Sequence, residues 1–227
     1  MSQLSTNFTE TLSSDNIKNI TEDLINVLDC TISAFTEFPF IDYFLKAPKA
    51  IISVSDRIFI RKALKFFSDV KDIPQEERYN FIGELEARGK DTAGDLLLSL
   101  INRLDNIHKV TIVTNLFRAK VLKDITIDDF IRLSSILERI PIVDLYNLEK
   151  FISPAYIVGV TEVLYASGTI RLCKIGDDDN PGDEYVLTEI GASLLKHGLK
   201  YQEPIICYKR NVHITQLDWK NVNSKEK

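Results

Sequence analysis

Residues 165–198 read YASGTIRLCKIGDDDNPGDEYVLTEIGASLLKHG, and their patterning decides how the C-terminal part of the chain folds. A helix is expected to stop at Gly168, because glycine enters the left-handed region past a helix end without steric cost. The segments TIRLCKI and EYVLT flank an Asp/Asn/Pro/Gly run, the mark of two strands joined by a turn. Helical spacing then returns in EIGASLLKHG, with Gly198 as its expected stop. Upstream, DITIDDFIRLSSILERI, IVDLYNLEKF and PAYIVGVTEVLYASG read as three helices. The order helix, helix, helix, strand, turn, strand is that of a winged helix. Residues 141–215 are therefore expected to form a winged-helix-like α/β module, with 216–227 as a flexible tail.

The preceding region reads as a helical domain over 15–140, and the chain as a whole as mostly α. Residues 1–14, rich in Ser and Thr, are expected to be a disordered tail. Ser14 or Asp15 should cap a helix reaching about Thr36, since Ile17, Ile20, Leu24, Val27, Leu28, Ile32 and Phe35 follow helical spacing. A short helix or turn, FIDYFLKA, is expected between Pro39 and Pro48. SDRIFIRKALKFFSDV follows, with Ser55 as its expected cap and Asp72–Pro74 as its stop. Pro74 and QEER open the next helix, with acids near its positive end. AGDLLLSLINRL and IHKVTIVTNLFRAKVL are two more amphipathic helices. Thr126 and Asp129 have capping-box spacing, with Asp where Glu is usual. The tail segment PIICYKRNVHITQLDW is β-branched enough to add a strand.

With 28 Lys and Arg against 33 Asp and Glu in 227 residues, the net charge of −5 lacks the basic excess of a general phosphate binder. Cys30, Cys173 and Cys207 form no CxxC pair, which fits reduced thiols of a cytoplasmic protein and no zinc site. The N-terminus has neither a basic nor an apolar signal region. The longest uncharged apolar run, FISPAYIVGVT, falls short of the about 20 residues needed to cross a bilayer.

A winged helix that reads DNA needs donors on its third helix and cations on its wing. Residues 154–168 contain no Lys, Arg, Asn or Gln, and Glu162 is their single charge. The wing carries Asp177, Asp178, Asp179, Asp183 and Glu184, so nucleic acid is a disfavoured partner. Those acids also miss the calcium-loop pattern: counted from Asp177, the fifth position is Pro181 and the twelfth is Thr188. A solvated hairpin tip is the simpler expectation.

GELEARGKDT departs from a phosphate-binding loop, with five residues between Gly83 and Gly89 and Asp91 where Ser or Thr should hold magnesium. His108, His197 and His213 are isolated from one another; His197 is expected to favour its helix C-terminus through the dipole. No catalytic, cofactor-binding or metal motif is found, so the expectation is a protein that is not an enzyme and takes no cofactor.

The unusual stretch is 40–71, where Lys46, Lys49, Arg57, Arg61, Lys62, Lys65 and Lys71 face three acids, a local +4 in a chain of −5. Large apolar residues interleave with these cations. The set Lys46, Lys49, Arg57, Arg61, Lys62 and Lys65 is a candidate contact for a protein partner or an anionic membrane surface. The competing expectation is that the apolar residues are core, since Ile60 and Ala63 widen the apolar face beyond a narrow stripe.

The segments FPFIDYFLKAPKAIISVSDRIFIRKALKFFSDVKDIPQEERYNFI and YVLTEIGASLLKHGL together resemble an uncharacterised family of bacterial proteins with a SIRDR-like basic helix and an LT-x-x-G helix start. Phe38 stands where the family has Ile before Pro, and Ser53-Val54-Ser55 departs from its SIR. LTEIGASLL is also similar to winged-helix regulators and to proteins associated with abortive phage infection. The resemblance carries no catalytic motif. It implies a non-catalytic interaction or regulatory protein of the bacterial cytoplasm, in host defence against phage, partnered by a protein or by its own copies. The alternatives are a membrane-associating effector acting through 40–71 and a DNA-binding winged-helix regulator, which the acidic wing disfavours.

Overall fold

The computed structural model describes residues 2–20, 38–45, 53–88, 92–176, 182–203 and 205. The described chain is mostly helical, with one small two-stranded sheet. Its α-helices are α1 (Gln3–Ser13), α2 (Pro39–Leu45), α3 (Val54–Val70), α4 (Gln75–Glu86), α5 (Ala93–Arg103), α6 (Ile107–Val121), α7 (Ile127–Arg139), α8 (Ile142–Leu145), α9 (Val160–Ala166) and α10 (Glu189–Ser193). Short 3-10 turns occupy Asp15–Asn19 and Leu148–Ile152, and α10 continues as a π-turn over Leu194–Gly198. The strands are β1 (Ile170–Lys174) and β2 (Glu184–Leu187).

The expected disordered tail at 1–14 is instead helix α1. Ser2 Oγ accepts from Ser5 N and caps it, while Phe8 and Leu12 are fully buried. Its hydroxyls do not pull the chain out of the helix, because Thr9, Thr11 and Ser13 bond back to carbonyls a turn earlier. Phe8 sits among Phe40, Phe66 and Phe67, with ring centroids 5.5, 6.1 and 4.7 Å away. The helix expected from Ser14 begins as a 3-10 turn under a Ser14 cap and is extended by Ile20. The rest of that expected helix, 21–36, lies outside the described residues, as does the strand expected beyond 205.

The cap of α3 is Ser53 rather than Ser55. Ser53 Oγ accepts from Asp56 N, and the Asp56 carboxylate accepts from Ser53 N, closing a capping box two residues earlier than expected. Thr126 and Asp129 close the same reciprocal box at α7, so Asp serves where Glu is usual. The Thr126 hydroxyl, with its backbone N–H behind, holds the Asp129 carboxyl below the usual carboxylate range.

Helices α3 and α6 pack as the central pair, and α1 crosses α2, α4 and α5. One hydrophobic cluster runs from Phe8 through Phe66, Phe117 and Phe130 to Phe151, Leu164, Leu187 and Leu195. Buried cations tie helix ends together inside it. Arg78, fully buried on α4, donates from Nε to the Leu12 carbonyl at 2.7 Å, from Nη2 to that of Ser14 at 2.8 Å, and from Nη1 to that of Ile73. Lys62 on α3 donates to the carbonyls of Asn102 and Leu104 at 2.9 and 2.8 Å, where α5 ends. Lys109 Nζ, also buried, lies 2.6 Å from Asp105 Oδ1 in an ion pair whose alignment falls short of a hydrogen bond.

The C-terminal elements hang on α6 through the π-turn, with Asn115 Nδ2 donating to the Gly198 carbonyl at 2.8 Å. Strands β1 and β2 pair antiparallel, Ile170 with Leu187, Arg171 with Val186 and Leu172 with Tyr185, before an irregularity between Leu172 and Lys174. The expected helix over 154–168 starts only at Val160. Ala155 instead exchanges both backbone hydrogen bonds with Tyr185 and extends the sheet edge, and Gly159 turns the chain into α9 at φ +79. That helix ends at Gly168 as expected, with φ +79 and its N–H on the Tyr165 carbonyl. Gly198 ends the π-turn for a different reason than expected. The left-handed residue there is Lys200, at φ +60, and a Cβ on Gly198 would come within 2.9 Å of Ile112.

The LT-x-x-G segment also has a physical basis. Thr188 Oγ1 accepts from Gly191 N and lies within bonding distance of the Gly168 and Thr169 carbonyls, joining α10 to the start of β1. A Cβ on Gly191 would stand 2.0 Å from the Thr169 carbonyl oxygen, so the helix approaches that closely only as glycine.

Two sets of variants test this packing by denaturant unfolding. Arg78→Met keeps the side-chain length but strands three carbonyls, and is expected to cost about 3 kcal/mol or more. Gly191→Ala is expected to cost roughly 1–3 kcal/mol through the forced backbone shift. Gly83→Ala, on α4 with nothing within 4 Å of the added Cβ, is expected to stabilise by about 0.5–1 kcal/mol.

Candidate interaction surface

The 154–168 segment presents a surface that is aromatic and acidic. Thr161 and Leu164 turn inward, and Thr161 Oγ1 accepts from Ile157 N to fix the entry turn. This leaves Tyr156, Val158, Glu162 and Tyr165 outward, with Tyr156 51% and Tyr165 53% exposed. Tyr185 of β2 lies between the two rings. Its centroid is 5.4 Å from that of Tyr165 at 73° and 6.3 Å from that of Tyr156 at 41°. The cross-strand register puts Tyr185 on the Leu172 face of the sheet and Arg171 on the Val186 face.

Tyr156 donates its hydroxyl to Glu162 Oε1 at 2.8 Å. That bond pushes the Tyr156 phenol up, while the residue's own backbone N–H, then Tyr156, hold the Glu162 carboxylate below the usual range. Burial first, then the nearby Asp183 carboxylate, pushes the Tyr185 phenol up as well. At neutral pH the surface therefore combines the neutral Tyr156 and Tyr185 phenols with the ionised Glu162 carboxylate. At the wing base, Gly176 N donates to Asp183 Oδ1 at 3.1 Å. The calcium-loop reading of the wing and its expected turn fall largely on 177–181, outside the described residues.

Residues 40–71 are mostly turned inward. Phe40, Ile41, Ile60, Leu64, Phe66, Phe67 and Val70 are buried, and Phe59 is half-buried against Phe40 and Phe44. Among the candidate contacts, Lys62 is a correction: it is buried with its ammonium on two α5 carbonyls, so it is a structural cation. Lys65 pairs with Asp69 at 2.8 Å. Arg57 is exposed near the start of α3, beside exposed Val54 and Ile58, and Arg61 is half-buried. Lys46 and Lys49 lie outside the described residues. The tyrosine set, by contrast, is visible in the sequence only as separate aromatic letters.

Other chemistry finds little support in the geometry. Gly83 lies inside α4, so GELEAR is helix and not a phosphate loop. At His197, burial first, then Lys196, pushes the imidazole down, which favours the neutral ring. Among the described residues, no group of three or more His, Cys, Asp or Glu is placed to hold a metal ion. A cavity of about 60 Å³ between α4, α5 and α7 is lined by Leu85, Leu97, Leu100, Phe130 and Ser134, whose buried hydroxyl lacks a hydrogen-bond partner. It is smaller than the ~150 Å³ cavity that takes a benzene ring. Among the described residues, no helix is long and apolar enough to cross a membrane.

Phe66→Ala separates core from membrane contact. The buried ring predicts a loss of about 3–5 kcal/mol in denaturant unfolding. Unchanged melting together with lost binding to anionic liposomes would instead make α3 a membrane contact.

No family model matches the chain, and neither a curated protein nor a solved structure matches it.

Proposed function

We propose that this chain is a non-catalytic interaction module, regulatory in role, whose partner is another protein seated on the face of α9. The carrying observation is the Tyr156–Tyr185–Tyr165 ring contact on a surface without a cation from 151–170. Exposed tyrosines bury large area at small entropic cost and are enriched at protein interfaces. Duplex DNA would meet carboxylates where phosphates require Lys or Arg.

The winged-helix-like reading of 141–215 supports the same conclusion. Helix α9 precedes β1 and β2 in the chain, an order compatible with that reading. In that arrangement the outward side of α9 corresponds to the side that a DNA-reading winged helix turns to the groove. Here it offers rings and a carboxylate. The cytoplasmic and phage-defence setting rests on the resemblance of 38–82 and 185–199.

Photo-crosslinking tests the proposal. A benzoylphenylalanine in place of Tyr165 is expected to give protein adducts in extracts of the native cells. The same group in place of Tyr79, exposed on α4, is expected to give none. The chain is also expected to leave duplex DNA unshifted at physiological salt. Equal adducts at both positions, or a footprint weakened by changes within 154–167, would overturn the proposal.

A further inference from the structure

Resting on that reading, we infer that the Tyr165 surface accepts a lysine- or arginine-rich segment of a partner protein. Its cations lie on the tyrosine rings between Glu162 and Asp183. The faces of aromatic rings are electron-rich, and a cation within about 6 Å of a ring centroid is attracted to them. The Tyr185 ring is tilted against those of Tyr156 and Tyr165, so the three offer several such faces in a small area, at centroid spacings of 6.3 and 5.4 Å. Exposed Val158 adds apolar surface for the aliphatic stem of a lysine or arginine.

Charge complementarity points the same way. Residues 141–203 hold ten acids and five cations, a local −5. Glu162 is held beside the rings by the Tyr156 hydroxyl and by backbone N–H groups, so its negative charge is fixed there. Asp183 likewise has one oxygen on Gly176 N. Of the two strand cations, Arg171 belongs to the Val186 face of the sheet, and Lys174 stands opposite Glu184 in the register. An acidic segment would be repelled here. A neutral one would leave both carboxylates without a partner charge.

A short peptide of alternating Lys and Ala stands in for the partner segment, with Gln–Ala and Glu–Ala peptides of equal length as comparisons. Each is titrated into the full chain by calorimetry at physiological ionic strength. The Lys–Ala peptide is expected to bind most tightly. Tyr165→Ala and Glu162→Gln are each expected to weaken it roughly two- to fivefold, with melting temperature unchanged. Equal binding of the Lys–Ala and Gln–Ala peptides, still dependent on Tyr165, would overturn the cationic assignment and leave the interaction surface standing. Lys–Ala affinity indifferent to both variants would also overturn it. Loss of the crosslink at position 165 as well would remove the surface itself. Binding that emerges only after Lys209, Arg210, Lys220, Lys225 and Lys227 are changed to Gln would place the occupant in the same chain and overturn the partner assignment.

Discussion

The guanidinium of Arg78, enclosed by the carbonyls of Leu12, Ser14 and Ile73, is the contact on which the helical core depends. Moving a cation out of water costs several kcal/mol, and only well-placed partners offset that cost. Here the partners are unpaired carbonyls at the end of α1 and at the turn before α4. A helix C-terminus carries partial negative charge and carbonyls without intrahelical donors. One side chain therefore satisfies two needs and joins the first helix to the fourth. Lys62 repeats the device at the end of α5, and Arg118 Nη2 donates to the Asp69 carbonyl near the end of α3.

That use of cations shapes the outside of the molecule. Lys62, Arg78 and Lys109 count in the formal charge of −5, yet they sit inside. Among the described acids of the C-terminal elements, none is buried. Glu162 and Asp183 stand beside a tyrosine set that the sheet register assembles. Within the basic stretch that drew attention in the sequence, Lys62 serves as an internal fastening. The surface with the clearer recognition chemistry is acidic and aromatic.

Glycines set the distances between these parts. Gly94 lets α5 approach α1 so closely that a Cβ would meet the Ser5 carbonyl oxygen at 2.4 Å. Gly191 does the same for α10 against Thr169, and Gly198 for the π-turn against Ile112. Interiors are packed densely enough that a single methyl must displace backbone at Gly94 and Gly191, and side chains at Gly198. The C-terminal elements therefore share the core of the helical region instead of merely following it in sequence.

Periodicity, capping residues and turn residues are local properties, and they make helices α3 to α7, the two strands and the stop at Gly168 legible from the letters alone. Leu4, Phe8 and Leu12 also carry helical spacing in α1, but the Ser and Thr between them mask it. Those hydroxyls are satisfied only because a helix already exists for them to bond back to. The extended Ala155 was not legible, since its conformation comes from pairing with Tyr185, thirty residues away. Nor was the inward turn of Lys62, or the meeting of Tyr156, Tyr165 and Tyr185. Composition settled which residues were present, while burial, charge pairing and ring contact depend on which distant backbone each side chain meets. Only the folded chain supplies that neighbour.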